Sequence, residues 1–331
     1  MPPEPHITTE RIVEHLGGVY GLDVHEVVPL AAGDVQGTLY RIDAVEGAHF
    51  LKLRRDRHPP PLARHLADAG ISHVLAPLRR RDPDAPTRIR DLTVLLYPFI
   101  EGENAFRRPL NQDQWTELGA VVRSVHDAKL PSSLSGTMRH ETYSDVWRAS
   151  VRAYLTAIPR RAANDVVARE LVALLSTTRT TIARLIEHAE QLAASLSHRN
   201  LPNVPCHGDL HAGNILVDGG GSLTIVDWDD PVLAPKERDL MFIGAGIGGA
   251  WNCADESSAF YRGYSRANVD AEAIAYYRCE RIVEDVAVYC DRLLLPGGDE
   301  GAERARSLRR LVSAFSPNGV VEIAKKTFAN L

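Results

Sequence analysis

The stretch His207-Gly208-Asp209-Leu210-His211-Ala212-Gly213-Asn214, with Asp227-Trp228 thirteen residues beyond Asn214, constrains this chain more than any other. Asn214-Ile-Leu-Val217 and Leu223-Thr-Ile-Val226 are short apolar runs of β-formers separated by Asp218-Gly-Gly-Gly-Ser222, so the segment predicts a β-hairpin. The hairpin carries Asn214 at one end and Asp227 at the other, which places an amide oxygen and a carboxylate at one edge of a sheet. Magnesium prefers oxygen ligands in an octahedron, keeps several waters, and commonly takes one or two carboxylates plus substrate phosphates. Asn214 and Asp227 meet that requirement and are the candidate metal ligands. A zinc site on His207 and His211 is the competing reading. It lacks the Glu of a helical His-Glu-x-x-His site, and Gly208 and Gly213 disfavour a helix. His207 is expected to be structural, packing the loop.

The same spacing resembles the catalytic segment of protein kinases, His-Arg-Asp-x-x-x-x-Asn followed by Asp-Phe-Gly. There one Asp faces the attacking hydroxyl while the Asn and the second Asp hold magnesium. On that pattern Asp209 is the candidate catalytic base. Only twelve residues lead from Asp227 to Asp239, and the activation loop with its Ala-Pro-Glu is absent. A small hydroxyl compound is therefore expected as acceptor, not a protein.

At 331 residues the chain is long enough for two lobes with sizeable cores. Its content, 44% hydrophobic and 24% charged, is that of a soluble globular protein. Glu4, Glu10 and Glu14 occupy an N-terminus without the apolar stretch of a secretory signal, and nothing approaches the roughly eighteen apolar residues of a spanning helix. Cys206, Cys253, Cys279 and Cys290 form no Cys-x-x-Cys pair and read as free thiols in a reducing compartment, so a cytoplasmic protein without a membrane partner is expected. A net charge of -5 argues against nucleic acid and suits a cationic small molecule.

The pattern of elements predicts an α+β, bilobal, protein-kinase-like fold. Residues 1–97 form a small β-rich nucleotide-binding lobe, 98–102 a hinge, and 103–331 a larger, mainly helical lobe for catalysis and substrate. Val27-Val-Pro-Leu30, Thr38-Leu-Tyr-Arg-Ile42, His49-Phe-Leu-Lys-Leu53 and Thr93-Val-Leu-Leu-Tyr97 read as strands. Gly33 and Gly37 lie in a turn whose amides could approach phosphates. Lys52 sits inside an apolar strand, where an ammonium is costly without a partner, and it is the candidate phosphate-binding lysine. Tyr97, Pro98, Phe99 and Ile100 would offer backbone groups to adenine. Beyond them, Asn111 caps a helix with Gln114 three residues on, and residues 142–158, 163–197 and 271–295 read as further helices. In the last of these Glu280, Glu284 and Asp285 interrupt an apolar stripe. Pairing of Arg281 with Asp285 accounts for part of that charge. The remainder, with Asp230, Glu237, Asp255 and Glu256, would suit an ammonium-bearing ligand.

With these residues in place, the chain resembles the aminoglycoside phosphotransferases, and is most similar to the spectinomycin phosphotransferases within them. The likeness extends from the catalytic segment to Pro231-Val-Leu-Ala-Pro-Lys-Glu-Arg-Asp-Leu-Met-Phe-Ile-Gly244, Trp251-Asn252, Tyr276-Tyr-Arg-Cys-Glu-Arg-Ile-Val-Glu-Asp-Val-Ala-Val-Tyr289 and Val320-Val-Glu-Ile-Ala324. Phe50-Leu-Lys-Leu53 and Tyr97-Pro-Phe-Ile100 correspond more weakly. The resemblance implies ATP and Mg2+ as cofactors, Asp209 as base, Asn214 and Asp227 on magnesium, Lys52 on the phosphates, and Asp239 as a structural brace for the catalytic loop. Asp209, Asp230, Glu237, Trp251, Glu284 and Asp285 are the residues expected at the substrate. One position departs from the pattern. The helix after Lys52 offers no acid in Arg57-His-Pro-Pro-Pro-Leu-Ala-Arg64, so either Asp68 or another group pairs with Lys52, or nucleotide alone holds it. The implied reaction is phosphorylation of a small cationic antibiotic, spectinomycin first, for resistance or for self-protection in a producer. A kinase of hygromycin A, choline or a sugar metabolite is the alternative among enzymes. A nucleotide-binding pseudoenzyme is the alternative outside them.

Overall fold

Alternation of buried and open residues along the strands decides how the first part of the chain is layered. The computed structural model describes residues 7–30, 38–55, 61–157, 165–265, 268–295 and 298–331. Gly33 and Gly37 lie outside the described residues. The chain forms two compact units, Met1–Glu103 with Leu216–Asp229, and Asn104–Ile215 with Asp230–Leu331. The segment Leu216–Asp229 thus belongs with the N-terminal strands, which a single cut at residues 98–102 does not convey.

In the first unit, helix α1 (Thr9–Tyr20) buries Ile12, Leu16 and Val19 along one face and stops at Gly21, whose φ of 71° suits glycine. Strands β1 (Val24–Leu30), β2 (Thr38–Ala44) and β3 (Gly47–Arg54) follow, then helix α2 (Leu62–Asp68) and strands β4 (Arg88–Ile89) and β5 (Leu92–Pro98). The five strands form one antiparallel sheet in the order β1-β2-β3-β5-β4. Leu51 pairs with Leu96 and Leu53 with Val94, and all four join Ile12 and Leu16 in the core under α1. The alternate pairs, Phe50 with Tyr97 and Lys52 with Leu95, must face the other way because side chains alternate along a strand. Lys52 therefore stands on the sheet face opposite the α1 core.

A short strand, β6 (Gly102–Asn104), leads to the second unit. Helix α3 (Gln112–His126) opens with the expected capping box, Asn111 accepting from Gln114 N at 2.8 Å and Gln114 from Asn111 N at 3.0 Å. After α4 (Ser132–Ser135) and β7 (Arg139–His140) come α5 (Val146–Ala157) and the long α6 (Val166–Ser197). Strand β8 (Asn203–Cys206) delivers the chain into the motif loop. Strands β9 (Ile215–Asp218) and β10 (Leu223–Ile225) are the arms of the expected hairpin, closed where Asp218 accepts from Ser222 N at 2.9 Å. Strand β11 (Val232–Pro235) and the one-turn helix α7 (Glu237–Leu240) precede α8 (Ala254–Tyr264), α9 (Ala271–Leu294), α10 (Gly301–Ala314) and α11 (Val320–Ala329). The core of this unit gathers Val151, Leu175, Ile182, Ile186, Ile282, Val283 and Val286 from α5, α6 and α9, with Leu311 and Val321 from the last two helices. The fold is α+β, with a β-rich N-terminal region and a helical C-terminal one. No helix among the described residues is long and apolar enough to cross a membrane.

Candidate active site

The motif loop is held by a buried carboxylate that reaches it from outside. Strand β11 runs antiparallel to β8 with Val232 opposite Cys206, so the turn into α7 brings Asp239 beside the loop leaving β8. Asp239, 1% exposed, accepts from His207 N and Gly208 N, both at 2.8 Å. His126 of α3 meets the same carboxylate through Nε2 at 3.1 Å and Tyr264 Oη of α8 through Nδ1 at 2.7 Å. Burial pushes the Asp239 carboxyl up, but the hydrogen bond from His126 and the neighbouring imidazoles pull it below its ordinary range. The His207 ring turns inward, 2% exposed, and its Nδ1 accepts from Asp209 N at 3.2 Å. Two backbone bonds and a ring contact thus set where Asp209 leaves the loop.

Asp209 itself remains open, with 43% of its side chain exposed. Burial of its inner part raises its pKa, and Arg281 and His211 outweigh that, so the carboxylate stays ionised far below the usual range. Arg281 Nη1 donates to Oδ1, and His211 Nε2 lies 3.6 Å from Oδ2. Asn214 ends a short 3-10 turn, Ala212–Asn214, immediately before β9, and its Nδ2 donates to Asp209 O at 2.9 Å. That bond uses the amide nitrogen and not the amide oxygen.

In the first unit Lys52 has its partners. Its ammonium, on a side chain only 7% exposed, bonds to Asp227 Oδ1 at 2.9 Å and to the carboxylate of Asp229, which also pairs with Arg54. Burial lowers the Lys52 pKa and the two carboxylates more than restore it, so the cation persists. Asp68 plays no part in this pairing: it sits at the end of α2 with Arg64, at 2.9 Å, and Arg79. Asp227 follows β10 by two residues with a φ of 65°, a left-handed conformation that Asp tolerates at some cost. Trp228 behind it is 4% exposed and its Nε1 donates to Ile225 O at 2.9 Å. Sequence reasoning missed Asp229; its signal was a second acid two residues after Asp227, at the end of the same hairpin.

The residues expected at the substrate divide. Glu284 and Asp285 lie on α9 with Arg281, half-buried, Asp285 accepting from Arg281 Nε at 3.0 Å. Asp285 is pushed up by burial and by Glu284 and Asp209, against Arg281. Asp230 is exposed. Glu237 is enclosed: it is 1% exposed, and its carboxylate accepts from Asp270 N at 2.9 Å and Lys236 Nζ at 2.8 Å. Trp251 is likewise enclosed, edge-on to Trp115 with ring centroids 4.9 Å apart. At the expected hinge, Tyr97 and Pro98 remain in β5, and Phe99 N donates to Ala48 O at 3.1 Å.

A buried cation on the third strand, an acid after a hairpin, and a loop Asp followed by an Asn define a kinase-type phosphotransferase. The model of the phosphotransferase enzyme family (APH) matches residues 27–280. The chain belongs to that family, and is an ATP-dependent phosphotransferase with an alcohol group as acceptor. Among solved structures it is similar to spectinomycin phosphotransferase APH(9)-Ia in complex with ADP and spectinomycin, 36% identical, with a TM-score of 0.89 over 98% of this chain and 99% of that one. The AMP-bound complex of the same enzyme is 35% identical, with a TM-score of 0.84 over 97% and 99%. Protein StrN of Streptomyces griseus is 29% identical over 203 residues, 59% of this chain, and the match spans only 62% of StrN.

Proposed function

We propose that the enzyme transfers the γ-phosphoryl group of ATP to a hydroxyl of a small cationic aminocyclitol antibiotic, spectinomycin first, in the cytoplasm. The observation that carries this reading is likeness over nearly the full length of both chains to an enzyme solved with ADP and spectinomycin. The acids on α9 support it independently. Glu284 and Asp285 lie one turn along α9 from the Arg281 that touches Asp209, and Glu284 also meets Arg238 at 3.9 Å; three carboxylates against two guanidiniums leave one negative charge for a protonated amine.

Asp209 orients the acceptor hydroxyl and takes its proton as the new O–P bond forms and the β–γ bridge breaks. The transition state is loose, so placement of the hydroxyl contributes more than basicity. Lys52, charged and buried, neutralises phosphate oxygens. Tyr97 pairs with Phe50 in the sheet, Pro98 has no amide hydrogen and Phe99 N is engaged, so among residues 97–100 the Ile100 amide is assigned to adenine. The donors fit a hard divalent cation: the amide oxygen of Asn214 and the carboxylate of Asp227, 42% exposed, are oxygen ligands of the kind magnesium takes. Bound there, magnesium would neutralise charge developing on the β- and γ-phosphate oxygens.

The test is a side-by-side assay of spectinomycin, kanamycin, streptomycin and hygromycin A at matched ATP and magnesium. Spectinomycin, a compact fused ring with two methylamino groups, should be turned over. Multi-ring kanamycin should be poor despite its greater charge. Efficient turnover of kanamycin, or none of spectinomycin, rejects the substrate assignment and leaves phosphoryl transfer standing.

A further inference from the structure

The contact that orients Asp209 comes from another element. Arg281 projects from α9, a 24-residue helix anchored in the core of the second unit. Its Nη1 donates to Asp209 Oδ1 while its Nε donates to Asp285 Oδ1 at 3.0 Å. The guanidinium carbon lies 5.6 Å from the ring centroid of Phe242, which is 3% exposed. A planar guanidinium can bridge two carboxylates and stack on a ring at once; a lysine ammonium cannot. Asp209 needs such a hold, since it is half-exposed and follows Gly208, whose φ is 87°. An unrestrained carboxylate there would sample rotations that present either oxygen.

We propose that Arg281 is a positioning residue for phosphoryl transfer: fixed by Asp285 and Phe242, it sets the rotation of the Asp209 carboxylate so that Oδ2, and not Oδ1, meets the acceptor hydroxyl. The inference rests on the reading of Asp209 as the group that receives the hydroxyl. Asp285 has a second effect. It balances the guanidinium, so the bridge does not cancel the charge on Asp209: two carboxylates and one cation sum to one negative charge, and the neighbouring Glu284 is matched by Arg238 at 3.9 Å. His211, 3.6 Å from Oδ2, bounds the space on the other side.

The experiment is steady-state kinetics on the full chain for Arg281→Met, Arg281→Lys, Asp285→Asn and the double variant Arg281→Met with Asp285→Asn. Each is assayed with spectinomycin as acceptor, and again with water as acceptor by following ATP hydrolysis without drug. Misplacing a reacting group by about 1 Å costs roughly 10²-fold, so Arg281→Met should lose about that factor in kcat in both arms, with the nucleotide KM unchanged. Arg281→Lys restores charge but not the bridge and should recover only part of the loss. Asp285→Asn should lose less than Arg281→Met, and the double variant should be no worse than Arg281→Met, because Asp285 acts through Arg281. A merely structural role would move Tm and the nucleotide KM together with kcat. An unchanged kcat in Arg281→Met, a loss confined to the acceptor KM, or additive losses in the double variant overturns the proposal. Should Arg281→Met fail to fold, Arg281→Lys and Asp285→Asn carry the same comparison. If wild type leaves spectinomycin untouched, the substrate reading fails while the hydrolysis arm still decides the positioning role.

Discussion

At the scale of single residues, the charges that matter are those whose partners are buried. Asp209→Ala should lower kcat by roughly 10²- to 10⁴-fold, the usual worth of a positioned general base, with little change in nucleotide affinity measured by calorimetry. Comparable turnover in the variant would remove Asp209 from the chemistry. Asp229 belongs to a different account. It has 11% of its side chain exposed and pairs with Lys52 and Arg54, 7% and 9% exposed. Removing one partner of a buried pair leaves charge uncompensated and costs about 3–5 kcal/mol. Asp229→Ala should therefore lower the urea midpoint markedly, and a midpoint within error of wild type would show that Asp227 alone satisfies Lys52.

At the scale of elements, the motif loop depends on how α3, α7 and α8 meet. Helices α3 and α8 touch backbone to backbone through two glycines: a Cβ at Gly263 would lie 1.7 Å from Thr116 O, and one at Gly119 would lie 2.1 Å from Phe260 O. Gly263→Ala must spread these helices, at an overpacking cost of about 1–3 kcal/mol or more. Because α3 carries His126 and α8 carries Tyr264, the Asp239 network should loosen with them. The readout is a fall in Tm accompanied by a fall in kcat, and full stability in Gly263→Ala would contradict the close approach. Asp239 adds a pH dependence. Its folded-state pKa is depressed, so its contribution is present above the ordinary carboxylate titration near pH 4 and is lost as pH falls through the folded value. The stability gap between wild type and Asp239→Asn should therefore hold above about pH 5 and narrow as pH falls below about pH 4 in urea titrations. A constant gap would mean that the carboxylate gains nothing from its ionised form.

At the scale of the whole molecule, net charge and the acids of α9 act in the same direction on a ligand. With a net charge of -5 and Glu284 and Asp285 beside Arg281, a cationic acceptor is attracted, and exposed charges are screened over about 8 Å at physiological ionic strength. The acceptor KM should rise severalfold between low and high salt, more in wild type than in Glu284→Gln. A KM indifferent to salt would assign acceptor binding to shape and hydrogen bonds.

Local patterns were legible in the sequence where chemistry depends on near neighbours. The hairpin between Asn214 and Asp227, the cap at Asn111, the strand holding Lys52 and the long helix over 271–295 all follow from turn residues, capping pairs and apolar periodicity. Helices α1, α10 and α11 went unread, although Ile12, Leu16 and Val19 sit at helical spacing in α1. Glu237 was expected at the substrate from the acids of its half and Trp251 from the family resemblance, whereas packing put both in the interior. The residue types and spacing of Asp209, Asn214, Asp227 and Lys52 were determined by the sequence itself, because loop chemistry is encoded over a few positions. Which charges meet was decided only in three dimensions. Lys52 with Asp229, His126 with Asp239, and Arg281 with Asp209 are 177, 113 and 72 residues apart along the chain, and an ion pair between two folded elements leaves no periodic trace in either.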